Sequence, residues 1–152
     1  MSFFTIITAT YNAATTLPRL LESLAAQTYR DFELIIQDGA STDDTVAVAE
    51  SYRHRLPSLS LVSEPDTGIY DAWNKALPRV RGEWLLFLGG DDVLATPEVL
   101  HEAATCMKPL GQEVIFASGD VLVTGSDGFP TRLLEGLGED AIDMLRAGNS
   151  AQ

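Results

Sequence analysis

Short, mostly apolar runs recur along the chain and predict buried β-strands. The runs are rich in β-branched, aromatic and leucine side chains, which favour the strand conformation. They cover residues 3–9, 32–37, 59–62 and 84–88. The last run, Trp84–Leu88, has five apolar residues in succession, and we expect this strand to be covered on both faces of the sheet.

Between these runs, apolar residues recur at the spacing of an amphipathic helix, most clearly at Leu17, Leu20, Leu21 and Leu24. The first predicted helix is capped by Thr15 or Thr16 and ends near Gln27. The second begins within Ser41–Asp44, with two acids in its first turn, and ends before Pro57. The third runs from Ile69 to Val80 and the fourth from Pro97 to Lys108. Strands that alternate with helices through short connections predict an α/β fold, with a mostly parallel sheet and helices on both faces.

The pattern changes in the last third of the chain. A strand is predicted over 113–118, and two further runs, Val121–Thr124 and Phe129–Leu134, flank the sequence Gly-Ser-Asp-Gly. An Asp-Gly pair between two apolar runs predicts an antiparallel hairpin. A short helix is predicted over 139–147.

Length and composition predict one globular domain, because the chain has 152 residues, of which 45% are hydrophobic and 21% charged. The net charge of −12 argues against nucleic acid and against an anionic membrane surface as partners. The single cysteine, Cys106, excludes an intrachain disulfide and fits a reducing compartment. No signal peptide or membrane-spanning run is predicted, so we expect a cytoplasmic protein or one bound peripherally at the inner face of the membrane.

Candidate functional residues follow three of the predicted strands: Thr8–Asn12, Asp38, and the pair Asp91 and Asp92. The carboxyl ends of parallel strands meet at one edge of a sheet, and ligands of open α/β sheets bind there. Adjacent carboxylates raise each other's pKa unless a cation or a hydrogen-bond donor neutralises them. We therefore interpret Asp91 and Asp92 as ligands of a divalent metal that holds a diphosphate.

Structural roles are the alternatives at the same positions. The acidic pair is also compatible with a solvated turn in which Asp92 or Thr96 caps the next helix. Tyr11 is compatible with a half-buried aromatic residue under a loop, and Asp38 with a turn residue that bonds its own backbone.

Several functional classes fit the sequence poorly. The first strand is followed by neither Gly-x-Gly-x-x-Gly nor a phosphate-binding P-loop, which argues against a dinucleotide oxidoreductase and a P-loop kinase. A signalling receiver domain also binds Mg²⁺ at the carboxyl edge of a parallel sheet. That class needs an acidic cluster after the first strand, and here the strand ends in Thr-Tyr-Asn.

Five segments, taken in order, resemble the family-2 glycosyltransferases of the GT-A fold. Thr8–Asn12, Leu24–Tyr29 and Phe32–Asp43 are similar to the start of that family. Glu64–Lys75 resembles a motif of the branch that builds bacterial exopolysaccharide and lipopolysaccharide, and Phe87–Asp92 resembles the metal-binding Asp-x-Asp region. The matches cover roughly residues 3 to 135 and are specific as a set.

This resemblance implies a Rossmann-like, three-layer GT-A fold and a glycosyltransferase of cell-surface polysaccharide biosynthesis. Such an enzyme moves a sugar, with inversion, from a UDP-, GDP- or dTDP-sugar to a hydroxyl of a glycan or lipid-linked acceptor, assisted by Mg²⁺ or Mn²⁺. Residues 1–110 would be the nucleotide-sugar-binding half and 111–152 the start of the acceptor side. The alternative is a non-catalytic nucleotide-sugar-binding module or an inactive fragment, and a homo-oligomer stays open.

The resemblance also assigns roles to individual residues. Asp91 matches the metal-ligand position best, Asp92 is the second candidate, and Asp120 is the only acid that we nominate as general base. Gly39 and Gly89 stand where the commoner pattern has an acid, which leaves Asp38 as the only acid for base recognition. Family members are usually longer, so we expect most of the acceptor side to be missing. The residues expected to bind the nucleotide are Thr8, Ala9, Thr10, Tyr11, Asn12, Asp38, Asn74, Lys75 and Gly90.

Overall fold

The computed structural model of the chain describes residues 2–110, 121–124 and 130–134. The chain divides into two compact units, Met1–Lys108 and Pro109–Gln152. The strands of the first unit are β1 (Phe4–Thr10), β2 (Phe32–Asp38), β3 (Leu59–Ser63) and β4 (Trp84–Gly89). Its helices are α1 (Leu17–Ala25), α2 (Thr45–Ser51), α3 (Ile69–Ala76) and α4 (Val99–Met107).

The four strands form one parallel sheet in the order β3-β2-β1-β4, which confirms the predicted strand arrangement. The register places Thr10 of β1 opposite Asp38 of β2 and Ala9 opposite Gly89 of β4. The carboxyl ends of β2, β1 and β4 therefore lie side by side along one edge of the sheet.

Helices cover both faces of this sheet, as the alternation of strands and helices predicts. On one face, Ile6, Leu34 and Ile36 form a core with the leucines of α1 and with Ala49 of α2 and Leu100 of α4. On the other face, Ile7 and Ile35 form a smaller core with Ala76 of α3. Burial of strand side chains on both faces explains the nearly continuous apolar runs of β1 and β2.

The prediction that β4 is covered on both faces is wrong. Leu85 and Phe87 are 37% and 38% exposed, and the burial of β4 alternates along the strand. Among the strands of the first unit, β4 is the last in order, so its residues on the α3 side are covered only in part. Phe87 packs on Trp73 of α3 at a ring-centroid distance of 4.5 Å.

The start of α2 and the end of α3 differ from the prediction, and α4 begins at Val99 rather than at Pro97. Helix α2 begins at Thr45, so Asp43 precedes it, and the Asp43 carboxylate accepts the backbone N–H of Thr45 at 3.0 Å. The two acids therefore lie before the first turn rather than in it. Helix α3 continues only as a 3₁₀ turn, Leu77–Arg79, because Pro78 has no N–H to donate to an α-helical bond.

The second unit contains the strands β5 (Val121–Thr124) and β6 (Pro130–Leu134), which pair antiparallel, as the Asp-Gly pair predicts. The strand predicted over 113–118, the helix over 139–147 and the candidate base Asp120 lie outside the described residues. The unit boundary follows Lys108, and the donor-side and acceptor-side roles of the two parts stay predictions. Within the described ranges, no helix has the length and apolar character that crossing a membrane requires.

Candidate functional site

The ends of β1 and β2 are tied together by hydrogen bonds between the two strand-end loops. The N–H of Gly39 donates to the carbonyl oxygen of Thr10 at 2.8 Å. The N–H of Asn12 donates to Ser41 Oγ at 2.8 Å, and Asn12 Oδ1 accepts the N–H of Thr42 at 2.9 Å. Asn12 has φ 48°, a left-handed conformation that asparagine tolerates better than most residues. Asn12 therefore fixes the geometry of the loop.

A second pair of bonds joins the start of α2 to the segment after β1. Thr45 Oγ1 accepts the N–H of Ala13 at 2.8 Å, and Asp43 Oδ2 accepts the N–H of Ala14 at 3.1 Å. Hydrogen bonds from Thr45, Ala14 and other backbone donors lower the pKa of Asp43, although partial burial opposes them. The backbone after β1 is therefore held from several sides.

Asp38, at the end of β2, is fully buried and fully hydrogen-bonded. Its Oδ1 accepts the hydroxyls of Thr10 at 2.9 Å and Ser41 at 2.5 Å. Its Oδ2 accepts the N–H of Ser41 at 2.9 Å and the hydroxyl of Ser63 at 2.6 Å. Burial raises the pKa of Asp38, but these hydrogen bonds outweigh it and the pKa lies below its ordinary value. A carboxylate offers about four acceptor sites, and all four are used here. The alternative interpretation, in which Asp38 is a turn residue that bonds nearby backbone, therefore describes this geometry.

Of the two carboxylates after β4, Asp92 accepts a backbone hydrogen bond and Asp91 does not accept one from the described residues. Asp92 Oδ2 accepts the N–H of Gly89 at 2.6 Å, so Asp92 closes the turn after the strand. Asp91 is exposed and accepts no hydrogen bond from any residue that the structure describes. A Cβ on Gly89 would lie 2.9 Å from Asp91 Oδ1, so a larger residue there would displace the carboxylate. Thr96 Oγ1 accepts the N–H of Glu98 at 3.3 Å just before α4.

A polar surface pocket of about 250 Å³ lies at this edge of the sheet. Tyr11 lines this pocket and is 67% exposed, so Tyr11 is not the half-buried aromatic of the alternative interpretation. The pocket is lined by Ala9, Thr10, Tyr11, Asn12, Ala13, Thr16, Gly90 and Asp91. The structure therefore brings together six of the residues expected from the sequence to bind the nucleotide or the metal.

Three of the other expected nucleotide ligands do not line this pocket. Thr8 is fully buried, and its hydroxyl has no partner among the described residues. Asn74 is exposed on α3. The Nζ of Lys75 donates to the carbonyl oxygen of Pro65 at 2.7 Å and lies 3.2 Å from Asp71 Oδ2. Lys75 therefore holds the loop before α3.

The residues at the acidic turn fit a divalent metal that is shared with a ligand. No group of three or more His, Cys, Asp or Glu side chains within the described ranges could hold a metal by itself. Mg²⁺ commonly binds one or two carboxylates and completes its coordination with water and substrate phosphates. The free carboxylate of Asp91 suits such a site, and the remaining oxygen of Asp92 is a second candidate.

Comparison with known proteins identifies the family. The model of the family "Glycosyl transferase family 2" matches residues 5–135. The chain belongs to this family, and its fold is the GT-A fold, as the sequence motifs indicated.

Curated relatives and solved structures are similar to the chain over part of their length. A PGL/p-HBAD biosynthesis glycosyltransferase of Mycobacterium bovis is 42% identical over 102 residues, which are 66% of this chain and 40% of the relative. Staphylococcus aureus TarS in complex with UDP-GlcNAc superposes with a TM-score of 0.65 at 34% identity, over 72% of this chain and 32% of that one. The mannosyltransferase PcManGT of Pyrobaculum calidifontis, in complex with GDP-Man and Mn²⁺, gives 0.67 at 29% identity, over 81% and 36%.

Sequence reasoning missed the residues that support the site. Ser41 and Thr45 were visible only as residues near the start of a helix, and their hydroxyls instead bond Asp38 and the backbone after β1. Ser63 ends β3 and bonds Asp38 from there, a contact that no local pattern indicates. The position of Asp66 also follows from a contact between distant segments, with Gly39.

Proposed function

We propose that the chain binds a nucleotide-diphosphate-sugar together with Mg²⁺ or Mn²⁺ and forms the donor-binding part of a metal-assisted glycosyltransferase. The observation that carries this proposal is the free carboxylate of Asp91 in a polar pocket beside the exposed ring of Tyr11. The pocket lies at the carboxyl edge of a parallel sheet, where α/β folds bind their ligands.

Tyr11, Asp91 and Asp92 have defined tasks in this proposal. The ring of Tyr11 offers a flat apolar surface on which a nucleotide base stacks. Asp91, with Asp92 as the second candidate, would hold the metal. When bound, the metal supplies neutralisation of the diphosphate charge as the bond between sugar and phosphate breaks. In an acidic chain with a net charge of −12, such a cation would offset the electrostatic repulsion of an anionic ligand.

The proposed reaction transfers the sugar to an acceptor hydroxyl. The hydroxyl oxygen forms a bond to the anomeric carbon from the face opposite the leaving group, the bond to the nucleoside diphosphate breaks, and a base takes the hydroxyl proton. Attack from that face inverts the anomeric centre. Asp120, our candidate for the base, lies outside the described residues. A glycan or lipid-linked acceptor of cell-surface polysaccharide synthesis is the proposed partner, supported by the motif of residues 64–75.

The test is calorimetric binding of UDP, GDP and dTDP, and of their sugars, with Mn²⁺ and then with a chelator. We expect Mn²⁺ to strengthen nucleotide binding and the nucleotide to strengthen Mn²⁺ binding by the same factor. The Asp91→Asn variant should lose most of this mutual dependence, and Asp92→Asn should lose less of it, because one oxygen of Asp92 bonds Gly89.

Asp31→Asn is the matched control, since it removes the same charge from an exposed residue just before β2, at the opposite end of that strand. If the chelator leaves the wild-type affinity unchanged, the metal part of the proposal is wrong. Binding without sugar transfer to any hydroxyl acceptor would favour the nucleotide-sugar-binding module over the enzyme.

A further inference from the structure

The loop Glu64–Gly68 between β3 and α3 is fixed at several points by residues of its own motif. Lys75 Nζ donates to the carbonyl oxygen of Pro65 at 2.7 Å. Asp71 Oδ2 accepts the N–H of Thr67 at 2.9 Å, and the bonds from Thr67 and Lys75 lower the pKa of Asp71. Gly68 has φ 127°, a conformation that side chains disfavour, where the loop enters the helix. The motif therefore builds a loop of defined shape.

This loop places the carboxylate of Asp66 directly over Gly39. A Cβ built on Gly39 would lie 2.7 Å from Asp66 Oδ2, so only glycine leaves room for the carboxylate in this position. Asp66 Oδ1 accepts the N–H of Gly68 at 2.9 Å. Oδ2 accepts no hydrogen bond from the part of the chain that the structure describes. The carboxylate is thus held through one oxygen and offers the other.

The free oxygen of Asp66 lies over Gly39, the residue that follows β2, and Gly39 is hydrogen-bonded to the lining of the pocket. Gly39, which it contacts, donates its N–H to the carbonyl oxygen of Thr10, and Thr10 lines the pocket beside the exposed ring of Tyr11. Asp38 is unsuited to a ligand contact, because it is fully buried and its two oxygens already accept four hydrogen bonds. Asp66 is therefore a carboxylate that offers a free oxygen beside the end of β2.

We propose that Asp66 determines the base specificity of the site, by accepting the imino N–H of uracil, thymine or guanine while the base stacks on Tyr11. This inference rests on the proposed function, since it deepens the role of the same site. Uracil, thymine and guanine carry an N–H at the ring position where cytosine and adenine carry an unprotonated nitrogen. A carboxylate accepts a hydrogen bond from the N–H of uracil, thymine or guanine, whereas the unprotonated nitrogen of cytosine or adenine is a second acceptor that it repels. Asp66 would therefore select the base by repulsion as well as by attraction.

The discriminating variant is Asp66→Asn. The amide oxygen can still accept the N–H of Gly68, so the loop keeps its shape, while the free acceptor oxygen is exchanged for an NH₂ donor. We expect wild type to bind UDP at least about tenfold more tightly than CDP, the effect of one hydrogen bond to a charged group. In Asp66→Asn the ratio should fall to about one or reverse, because the amide donates to N3 of cytosine.

The measurement is calorimetric titration of the full chain with UDP, CDP, GDP and ADP in the presence of Mn²⁺. Asp31→Asn, which loses the same charge at the other end of β2, should keep the wild-type ratio. If wild type binds UDP and CDP equally, or if Asp66→Asn keeps the wild-type ratio, Asp66 does not select the base and the proposed function stands. If wild type binds none of UDP, GDP and dTDP or their sugars, the proposed function is wrong and this inference falls with it.

Discussion

Replacement of Asp38 by alanine should destabilise the fold rather than only weaken ligand binding. The resemblance to the family assigns Asp38 to base recognition, which predicts a folded Asp38→Ala variant with reduced nucleotide affinity. The structure buries Asp38 completely and directs four hydrogen bonds to its carboxylate from β1, β3 and the loop after β2. Removal of the carboxylate would leave the donors of Thr10, Ser41 and Ser63 without their partner.

The size of the stability loss in Asp38→Ala depends on how exposed the three donors are to water. Thr10 is 5% exposed, so its hydroxyl would be left unpaired out of reach of bulk water. Ser63 is exposed and Ser41 partly exposed, so water can replace part of their bonds. A hydrogen bond to a charged group contributes about 1.5–3 kcal/mol, and a buried unpaired group costs about 1–3 kcal/mol. Because these contributions overlap, we expect a loss of about 3–5 kcal/mol in the free energy of unfolding.

The assay is urea unfolding followed by the fluorescence of the two tryptophans, Trp73 and Trp84. The midpoint should fall in Asp38→Ala, with the slope unchanged if unfolding stays two-state. Asp31→Ala is the matched control, because its side chain is exposed and accepts no hydrogen bond from the described residues. A loss below about 1 kcal/mol, the ordinary effect of a point mutation, would refute the structural role and return Asp38 to the ligand.

The same carboxylate predicts a pH dependence of stability. Burial raises the pKa of Asp38, but the bonds from Ser41, Ser63 and Thr10 hold it below its ordinary value. The unfolded chain therefore binds more protons near pH 4, where an unperturbed aspartate titrates at about 3.9, and stability rises with pH there. The advantage of wild type over Asp38→Asn should be fully present above about pH 4 and disappear as the pH falls through the folded pKa.

Two further pairs of substitutions test the scaffold of the site by urea unfolding. Gly82→Ala places a Cβ 2.5 Å from the backbone nitrogen of Thr5 and should lower the free energy of unfolding by about 1–3 kcal/mol. In Gly90→Ala the nearest atom to the new Cβ is 3.5 Å away, so the free energy of unfolding should hardly change. Asn12→Ala loses the bond from Thr42 at φ 48° and should cost about 1–3 kcal/mol. Asn12→Gly should cost less, because glycine adopts that φ freely. Equal losses in the two members of either pair would contradict the geometric explanation.

Local patterns were sufficient to predict most of the first unit. The spacing of Leu17, Leu20, Leu21 and Leu24 places α1 correctly, because all four leucines are fully buried against the sheet. The apolar runs identify the strands, and their alternation with helices identifies the parallel sheet. The same reasoning was wrong about the coverage of β4, since an apolar run does not reveal the position of its strand in the sheet.

The location of the candidate site was predictable from the sequence, but the role of each carboxylate in it was not. That Thr10, Tyr11, Asn12 and Asp91 meet at one edge follows from parallel strands, and the pocket contains all four. The state of each carboxylate depends on donors supplied by distant segments, such as Ser63 for Asp38. These contacts are tertiary, so no spacing rule applied to a single sequence could separate Asp38 from Asp91.

Four of the carboxylates at this edge differ in the hydrogen bonds that they accept. Asp38 accepts hydrogen bonds on both oxygens, and one oxygen of Asp92 accepts the N–H of Gly89, so these two stabilise the turns after β2 and β4. Asp91 keeps both oxygens free of hydrogen bonds from the described residues, and Asp66 keeps one. In a chain of net charge −12, a free carboxylate attracts an anionic nucleotide only through a cation or a positively polarised N–H. Since Asp91 follows β4 and Asp66 contacts the residue after β2, the metal-bound diphosphate and the imino group of the base would be held by separate carboxylates.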